Sequence, residues 1–328
     1  MIPGRPEGSQ LPHPVLIDTD PGIDDALALF LAWGTPDVRV EAITTVAGNV
    51  DVDLATTNVL RLIAAARPPI RPRLARGAPA PLRQRLTTAA HVHGDDGLGN
   101  VAGLTGLDGE PLYPAPPADL ETLDAADLIL ASADRFGGDL VLVALGPLTN
   151  LALALERDPR RLRRVGRIVL MGGAIAVPGN VTPAAEFNFY VDPDAAAAVL
   201  EAGLALDIVP LDVTRQVVLS RGDLARALGA PSDGWARLLL DLTAHGFAFG
   251  AARGDGGITL HDPLAVALAA DPSLGGWRSL GVRVDTASGE GRGRSYAAGG
   301  VPPCRVALEV DAPRALARVL EGLCRASA

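Results

Sequence analysis

No lysine occurs among the 328 residues, and all 29 basic side chains are arginine. That absence removes lysine Schiff bases, a lysine-anchored pyridoxal cofactor and the P-loop lysine from the available chemistry. It also weakens any phosphotransfer scheme that holds phosphate on an ammonium group. Cysteine is scarce: Cys304 lies in an apolar strand-like run and Cys324 in a C-terminal helical segment. Neither a disulfide framework nor a cysteine metal site follows, in agreement with a reducing cytoplasm. Apolar stretches such as Ala195–Leu200 and Leu238–Leu240 fall well short of the roughly 18–20 residues of a membrane span, and the N-terminus lacks a basic-then-apolar leader pattern. Basic charge is in deficit, with 29 arginines against 38 acidic residues and a net charge of −9. Without a basic stripe, nucleic acid is not an expected partner.

What is present is an ordinary globular composition, 48% hydrophobic and 20% charged, unlike that of disordered chains. Short apolar runs alternate with helix-like segments: Val15–Asp18 then Ile23–Trp33, Val40–Val46 then Asp53–Ala66, Leu140–Leu145 then Leu148–Glu156, Arg167–Met171, and Asp194–Ala202 leading into Leu206–Leu211. Strands that read as unbroken apolar runs are buried on both faces. The expectation is therefore an α/β fold with a mostly parallel sheet and helices on each side. Residues 220–270 read as mainly helical, Val282–Val284 and Arg305–Val310 as late strands, and Pro313–Arg325 as a closing helix. Loops are expected over 91–119, 250–257 and 286–300. No linker divides the chain, so one domain over 1–328 is expected, with the Pro/Gly-rich residues 1–13 as a loose extension.

The first strand-to-helix junction, Asp18-Thr19-Asp20-Pro21-Gly22-Ile23-Asp24-Asp25, holds four carboxylates in eight positions. Like charges so close repel, and a cation is the simplest device that lets several stay ionised. All-oxygen ligands point to Ca²⁺ or Mg²⁺. Alternatively, Asp24 and Asp25 merely favour the first turn of the helix. Other polar or glycine-rich turns recur beyond strand ends, at Asn49, Leu145-Gly146-Pro147 and Met171-Gly172-Gly173, where open α/β sheets bind ligands. Further on, Asn180 and Glu186-Phe187-Asn188 supply groups suited to sugar hydroxyls. His261-Asp262-Pro263 opens a helix, with Asp262 at the cap position and proline first in the helix. Capping leaves His261 unexplained.

These residues resemble the inosine-uridine-preferring nucleoside hydrolases. The resemblance rests on Asp18–Ala26, Ile43–Asn49, His93-Gly94, Leu145–Asn150, Met171–Gly173, Ala185–Asn188 and His261–Pro263. It implies the nucleoside hydrolase fold with its Rossmann-like open sheet, a bound calcium ion, hydrolysis of the N-glycosidic bond of ribonucleosides, and a homodimer or homotetramer. It places calcium on Asp20, Asp25, Asp262 and the Leu145 carbonyl. The ribose falls among Asp24, Asn49, Met171, Asn180, Glu186 and Asn188, with His93 and Phe187 nearby. Asp20 is then the general base and His261, expected to titrate near neutrality, the leaving-group acid. Phe249 and the run Arg253–Gly257 are candidates for a lid beside the base, where a surface turn with Phe249 in the core is the alternative.

The carboxylate-rich, lysine-free site should also favour nucleosides over nucleotides. Two other readings stay open here. Asp18-x-Asp20 after a strand fits a haloacid-dehalogenase-like phosphohydrolase, whose usual lysine this chain lacks. A calcium-dependent nucleoside-binding protein without turnover fits too, although intact Asp20 and His261 favour an enzyme.

Overall fold

The computed structural model describes residues 12–229 and 234–325. Most of the expected N-terminal extension lies outside them, and its last residue, His13, already belongs to β1 (His13–Thr19). The other strands of the main sheet are β2 (Val38–Thr45), β3 (Arg73–Arg76), β4 (Val141–Ala144), β5 (Arg167–Met171), β6 (Leu206–Val209), β9 (Gly275–Val284), β10 (Ser295–Ala297) and β11 (Pro303–Val310). A separate two-stranded ribbon pairs β7 (Val218–Leu219) with β8 (Ile258–Thr259). The nine-stranded sheet runs β10-β9-β11-β6-β5-β4-β1-β2-β3. It is parallel from β3 through β11, and β9 and β10 close it antiparallel.

Alternation along β1 shows why both faces need cover. Val15 and Ile17 enter one buried cluster with the helices Ile23–Trp33, His261–Ala270 and Ala312–Arg325, while Leu16 enters another with Ala125–Phe136, Thr149–Arg157 and Pro193–Glu201. The helix Ile23–Trp33 is buried from Ile23 to Ala32, because it is apolar all round and sits among other helices instead of at the surface. Chain order moves outward from β1 to β3 on one side and from β4 to β6 on the other, so the topology reverses between β1 and β4. Turns leaving the carboxyl ends of β1, β2, β4 and β5 meet beside that reversal, the place where open α/β sheets present a crevice.

Several expected boundaries move. The strand β3 is not among the expected elements, because it is a four-residue edge bearing Arg73 and Arg76, with prolines nearby. The helix Ala125–Phe136, capped by Asp124, is not among the expected elements. Residues 250–253 are not loop: the helix Gly234–Arg253 continues through them and stops only where Gly254 takes φ +78°. Ala90–His93 forms a helical turn within the expected loop 91–119, and β10 lies inside 286–300.

Asp207 on β6 stands directly opposite Arg305 on β11 and accepts a two-pronged bond from its guanidinium at 2.7 and 2.6 Å. Arg167 lies 3.8 Å away. Asp207 is 4% exposed on its side chain, whereas Arg305 is half exposed, so loss of the carboxylate strands one charge that recovers water and one that does so poorly. Asp207→Ala should lower stability by about 2 kcal/mol, read as a shift in urea midpoint with unchanged slope. Turnover should be retained, because the pair sits at the start of β6, away from the crevice.

Candidate active site

β1 ends at Thr19, and the chain leaves the sheet through Asp20-Pro21-Gly22 into the helix that starts at Ile23. Asp25 therefore falls at the third helical position, where its Oδ2 accepts the Gly22 N–H at 2.8 Å and Asn49 Nδ2 at 3.2 Å, and its Oδ1 accepts the Thr19 hydroxyl at 2.5 Å. The helix-capping reading of Asp25 is thus correct as far as it goes. Asp20 is different: its Oδ2 accepts the Asn49 N–H at 2.6 Å, and its Oδ1 is buried without a partner. The turns after β2 and β4 close tightly around it. A Cβ on Gly48 would lie 2.1 Å from Asp20 Oδ2 and one on Gly146 2.6 Å from Oδ1, so only glycine fits at either place.

Asp262 arrives from the far end of the chain. The helix there begins at His261 with Leu260 at the cap, so Asp262 lies inside the first turn, contrary to the capping expectation, and its carboxylate joins the cluster. One oxygen each of Asp24, Asp25 and Asp262 lies within 4.8 Å of the others. Asp20 is outside that tightest group but near enough to be raised by Asp25 and Asp24. Asp18, the fourth carboxylate of the sequence motif, belongs elsewhere: its Oδ1 accepts Thr44 Oγ1 at 2.6 Å and Asn150 Nδ2 at 2.7 Å.

Burial is the main cause, and neighbouring carboxylates the second, that hold Asp20 and Asp262 well above the ordinary aspartate range; Asp24 is pushed up to about 7. A resident cation is tested by what this cluster lacks. One buried oxygen of Asp20 has no donor, and the imidazole of His93, 4.0 Å from Asp24, is uncharged near neutrality. The cluster offers only oxygen donors, and the Leu145 carbonyl, from a residue lining the cavity beside it, accepts Asn188 Nδ2 at 2.6 Å and keeps a second lone pair. Such a donor set fits a hard divalent ion.

A cavity of about 570 Å³ opens above the cluster. Asp24, Asn49 and His93 form part of its wall, facing Met171, Asn180, Glu186, Phe187 and Asn188, with His261 and Asp262 between. The structure thus brings the expected residues together, Asp20 and Asp25 lying behind the cavity wall. Glu186, 1% exposed, is held by the N–H groups of Gly173, Asn188 and Phe189, and burial raises its pKa. Asn188 spends its amide on the carbonyls of Leu145 and Met171. Asn180 Oδ1 accepts the Phe187 N–H at 3.0 Å.

His93 Nδ1 accepts the Ile23 N–H at 3.1 Å, which leaves its proton on Nε2. His261 Nδ1 bonds Thr214 Oγ1 at 2.8 Å. Desolvation lowers both imidazoles to about 4, with the Arg215 charge adding to the effect at His261. The expectation that His261 titrates near neutrality is therefore corrected: in the ligand-free site it is neutral.

Phe249 is half-buried, lines the cavity and meets the His91 ring edge-on at 6.4 Å, while Phe247 is the one in the core. Arg215 and Arg253 line the same cavity. The absence of lysine therefore does not leave a phosphate without a cationic side chain in this cavity. Thr87 and Thr88 also line the cavity, and nothing in their local sequence marks them.

The sequence profile described as Inosine-uridine preferring nucleoside hydrolase matches residues 15–317. A protein of Arabidopsis thaliana named Probable uridine nucleosidase 2 is 36% identical, with 94% of this chain and 97% of that one aligned. Among solved structures, a plant nucleoside hydrolase, the PpNRh1 enzyme, is 36% identical with a TM-score of 0.86, covering 95% of this chain and 99% of that one. A purine-preferring ribonucleoside hydrolase from Gardnerella vaginalis is 32% identical with a TM-score of 0.86, covering 96% and 99%. With its fold and nearly its whole length matched, the chain belongs to the inosine-uridine preferring nucleoside hydrolase family.

Proposed function

We propose that this chain is a calcium-dependent ribonucleoside N-glycosyl hydrolase that releases free nucleobase and ribose. The observation that carries the reading is the convergence of Asp20, Asp24, Asp25 and Asp262 at one cavity that His261 also lines. Asp20, Asp25, Asp262 and the Leu145 carbonyl would hold the ion, with Asp24 beside them. A bound ion would supply the charge that keeps these carboxylates ionised and would make a nearby water more acidic.

The protein residues do the rest. Breaking the C1′–N bond builds positive charge on the sugar, which Asp24, Asn180 and Glu186 stabilise through oxygens fixed beforehand. The oxygen of water bonds C1′ as the base departs, and its proton passes to Asp20 Oδ1, the oxygen without a donor in the structure. His261 faces the leaving base. Neutral at rest, its imidazole takes a proton from solvent as negative charge develops on the departing nitrogen and passes it to that nitrogen, which leaves with the C1′–N electron pair. The proton gained by Asp20 returns to solvent, so that one water adds across the bond. Phe249 offers a ring face to the nucleobase. We read the whole chain as one domain working in the cytoplasm as a homodimer or homotetramer, in line with its two cysteines and with the general symmetry of soluble enzymes.

Ribose release from a ribonucleoside tests the activity. Asp20→Asn should lower kcat by at least about 10², the lower range for general acid–base catalysis, and full turnover in that variant would remove Asp20 as base.

Phe249→Ala should raise KM for ribonucleosides severalfold with little change in thermal midpoint. A destabilised protein with unchanged KM would return Phe249 to a packing role.

The metal-stripped protein should become more stable as pH falls from 8 to 6.5. Its buried carboxyls have folded pKa values above the unfolded ones, so their penalty is complete above the folded pKa and is relieved as pH drops through it, near 7 for Asp24. His93 and His261, lowered to about 4, act oppositely, but chiefly below pH 6.5. Thermal melts with and without calcium should show the ion raising Tm more at pH 8 than at pH 6.5; an equal rise at both would dissociate the carboxylates from the ion.

A further inference from the structure

The chain leaves β6 into a single helical turn, Leu211–Thr214, followed by Arg215. Three side chains of this short segment reach two different parts of the site. Thr214, fully buried, bonds His261 Nδ1 through its hydroxyl at 2.8 Å. Asp212 accepts the N–H groups of Ile175 and Ala176, both at 2.8 Å, one on each carboxylate oxygen. Arg215 donates from Nη1 to the Pro178 carbonyl at 2.8 Å and from Nη2 to the Gly179 carbonyl at 2.7 Å. The backbone joins in, because the Leu211 N–H bonds the Gly173 carbonyl at 2.9 Å. The loop after β5 is therefore tied along 173–179, immediately before Asn180.

We infer that the segment Leu211–Arg215 is a positioning device that sets His261 and the Asn180-bearing loop against each other, Thr214 orienting the imidazole and Asp212 and Arg215 the loop. This rests on the proposed roles of His261 at the leaving base and Asn180 at the ribose. The chemistry is specific at each contact. A hydroxyl on Nδ1 fixes the ring plane and leaves Nε2 as the nitrogen presented to the cavity. The guanidinium and carboxylate each satisfy two backbone groups of a loop that otherwise lacks regular structure. Groups that hold a reacting constellation to a few tenths of an ångström affect rate without touching substrate.

The two arms of the device predict different kinetic signatures. Thr214→Val keeps the side-chain shape and removes the hydroxyl. It should lower kcat on a natural ribonucleoside about tenfold, leave an aryl riboside that departs as a stable phenolate within about twofold, and shift the ¹⁵N resonances of the His261 imidazole. Thr214→Ser, which keeps the hydroxyl, should restore natural turnover. Arg215→Met should raise KM about fivefold or more for both substrates, since both carry ribose, with kcat nearly unchanged. Equal kcat losses on both substrates in Thr214→Val, unchanged ¹⁵N shifts, or an Arg215→Met enzyme with unaltered KM would overturn the inference.

His261→Ala separates this from the underlying reading. If its losses are equal on the two substrates, His261 is not the acid, while the ¹⁵N response to Thr214→Val and the KM response to Arg215→Met still decide whether the segment orients ring and loop.

Discussion

Mutual repulsion among buried carboxylates is the constraint around which the molecule is arranged. Asp20, Asp24, Asp25 and Asp262 occupy one small volume, and the side-chain and backbone donors that reach Asp20 and Asp25 among the described residues are Thr19, Gly22 and Asn49, none of them basic. Such a cluster is unfavourable in itself. It persists because the surrounding frame is over-determined: β1 is paired on both sides, by β4 and β2, and the helices that carry Asp25 and Asp262 pack on one another. The glycines at 48 and 146 let two turns close on Asp20 where any side chain would collide. The fold thus spends part of its packing energy on keeping apart-seeking charges together, as expected where a cation and a sugar are to be received.

The surrounding polar groups divide the labour. Glu186 is saturated by backbone N–H groups and Asn188 by two carbonyls. Both therefore define the shape of the cavity wall as much as they offer free valences. His93, locked by the Ile23 N–H, ties the turn Ala90–His93 to the same helix that supplies Asp24 and Asp25. One helix start accordingly organises an acidic cluster and a histidine from a distant loop.

Legibility in the sequence followed locality. The strand-to-helix alternation and the motif at 18–25 are written in consecutive residues, and the family likeness added Asp262 and the Leu145 carbonyl, which no spacing argument reaches. Asp18 shows the limit of counting neighbours: it stands in the same motif yet bonds Thr44 and Asn150, because two residues along a strand end suffice to change surroundings. Thr214 and Arg215 left no trace, since a threonine and an exposed arginine after a strand are ordinary and their meaning arises only from chain brought in 36 to 47 residues away in sequence. The length of Gly234–Arg253 was obscured by its glycines, which the helix tolerates where Gly250 lies against the Gly257 carbonyl.

The burial of the helix Ile23–Trp33 along ten successive residues bears on how the site breathes. Its first turn carries Asp24 and Asp25, so these side chains are rooted in the segment with the least exposed backbone, the kind whose amides exchange with solvent only when the whole molecule opens. Fraying, the usual route by which helix ends loosen, is closed to it. The cavity lining also draws on residues of the turn Ala90–His93 and on Phe249, Gly250 and Arg253 of the helix Gly234–Arg253, several of them partly exposed. The acidic floor thus belongs to the interior of the fold, and the wall built from those segments belongs to its surface.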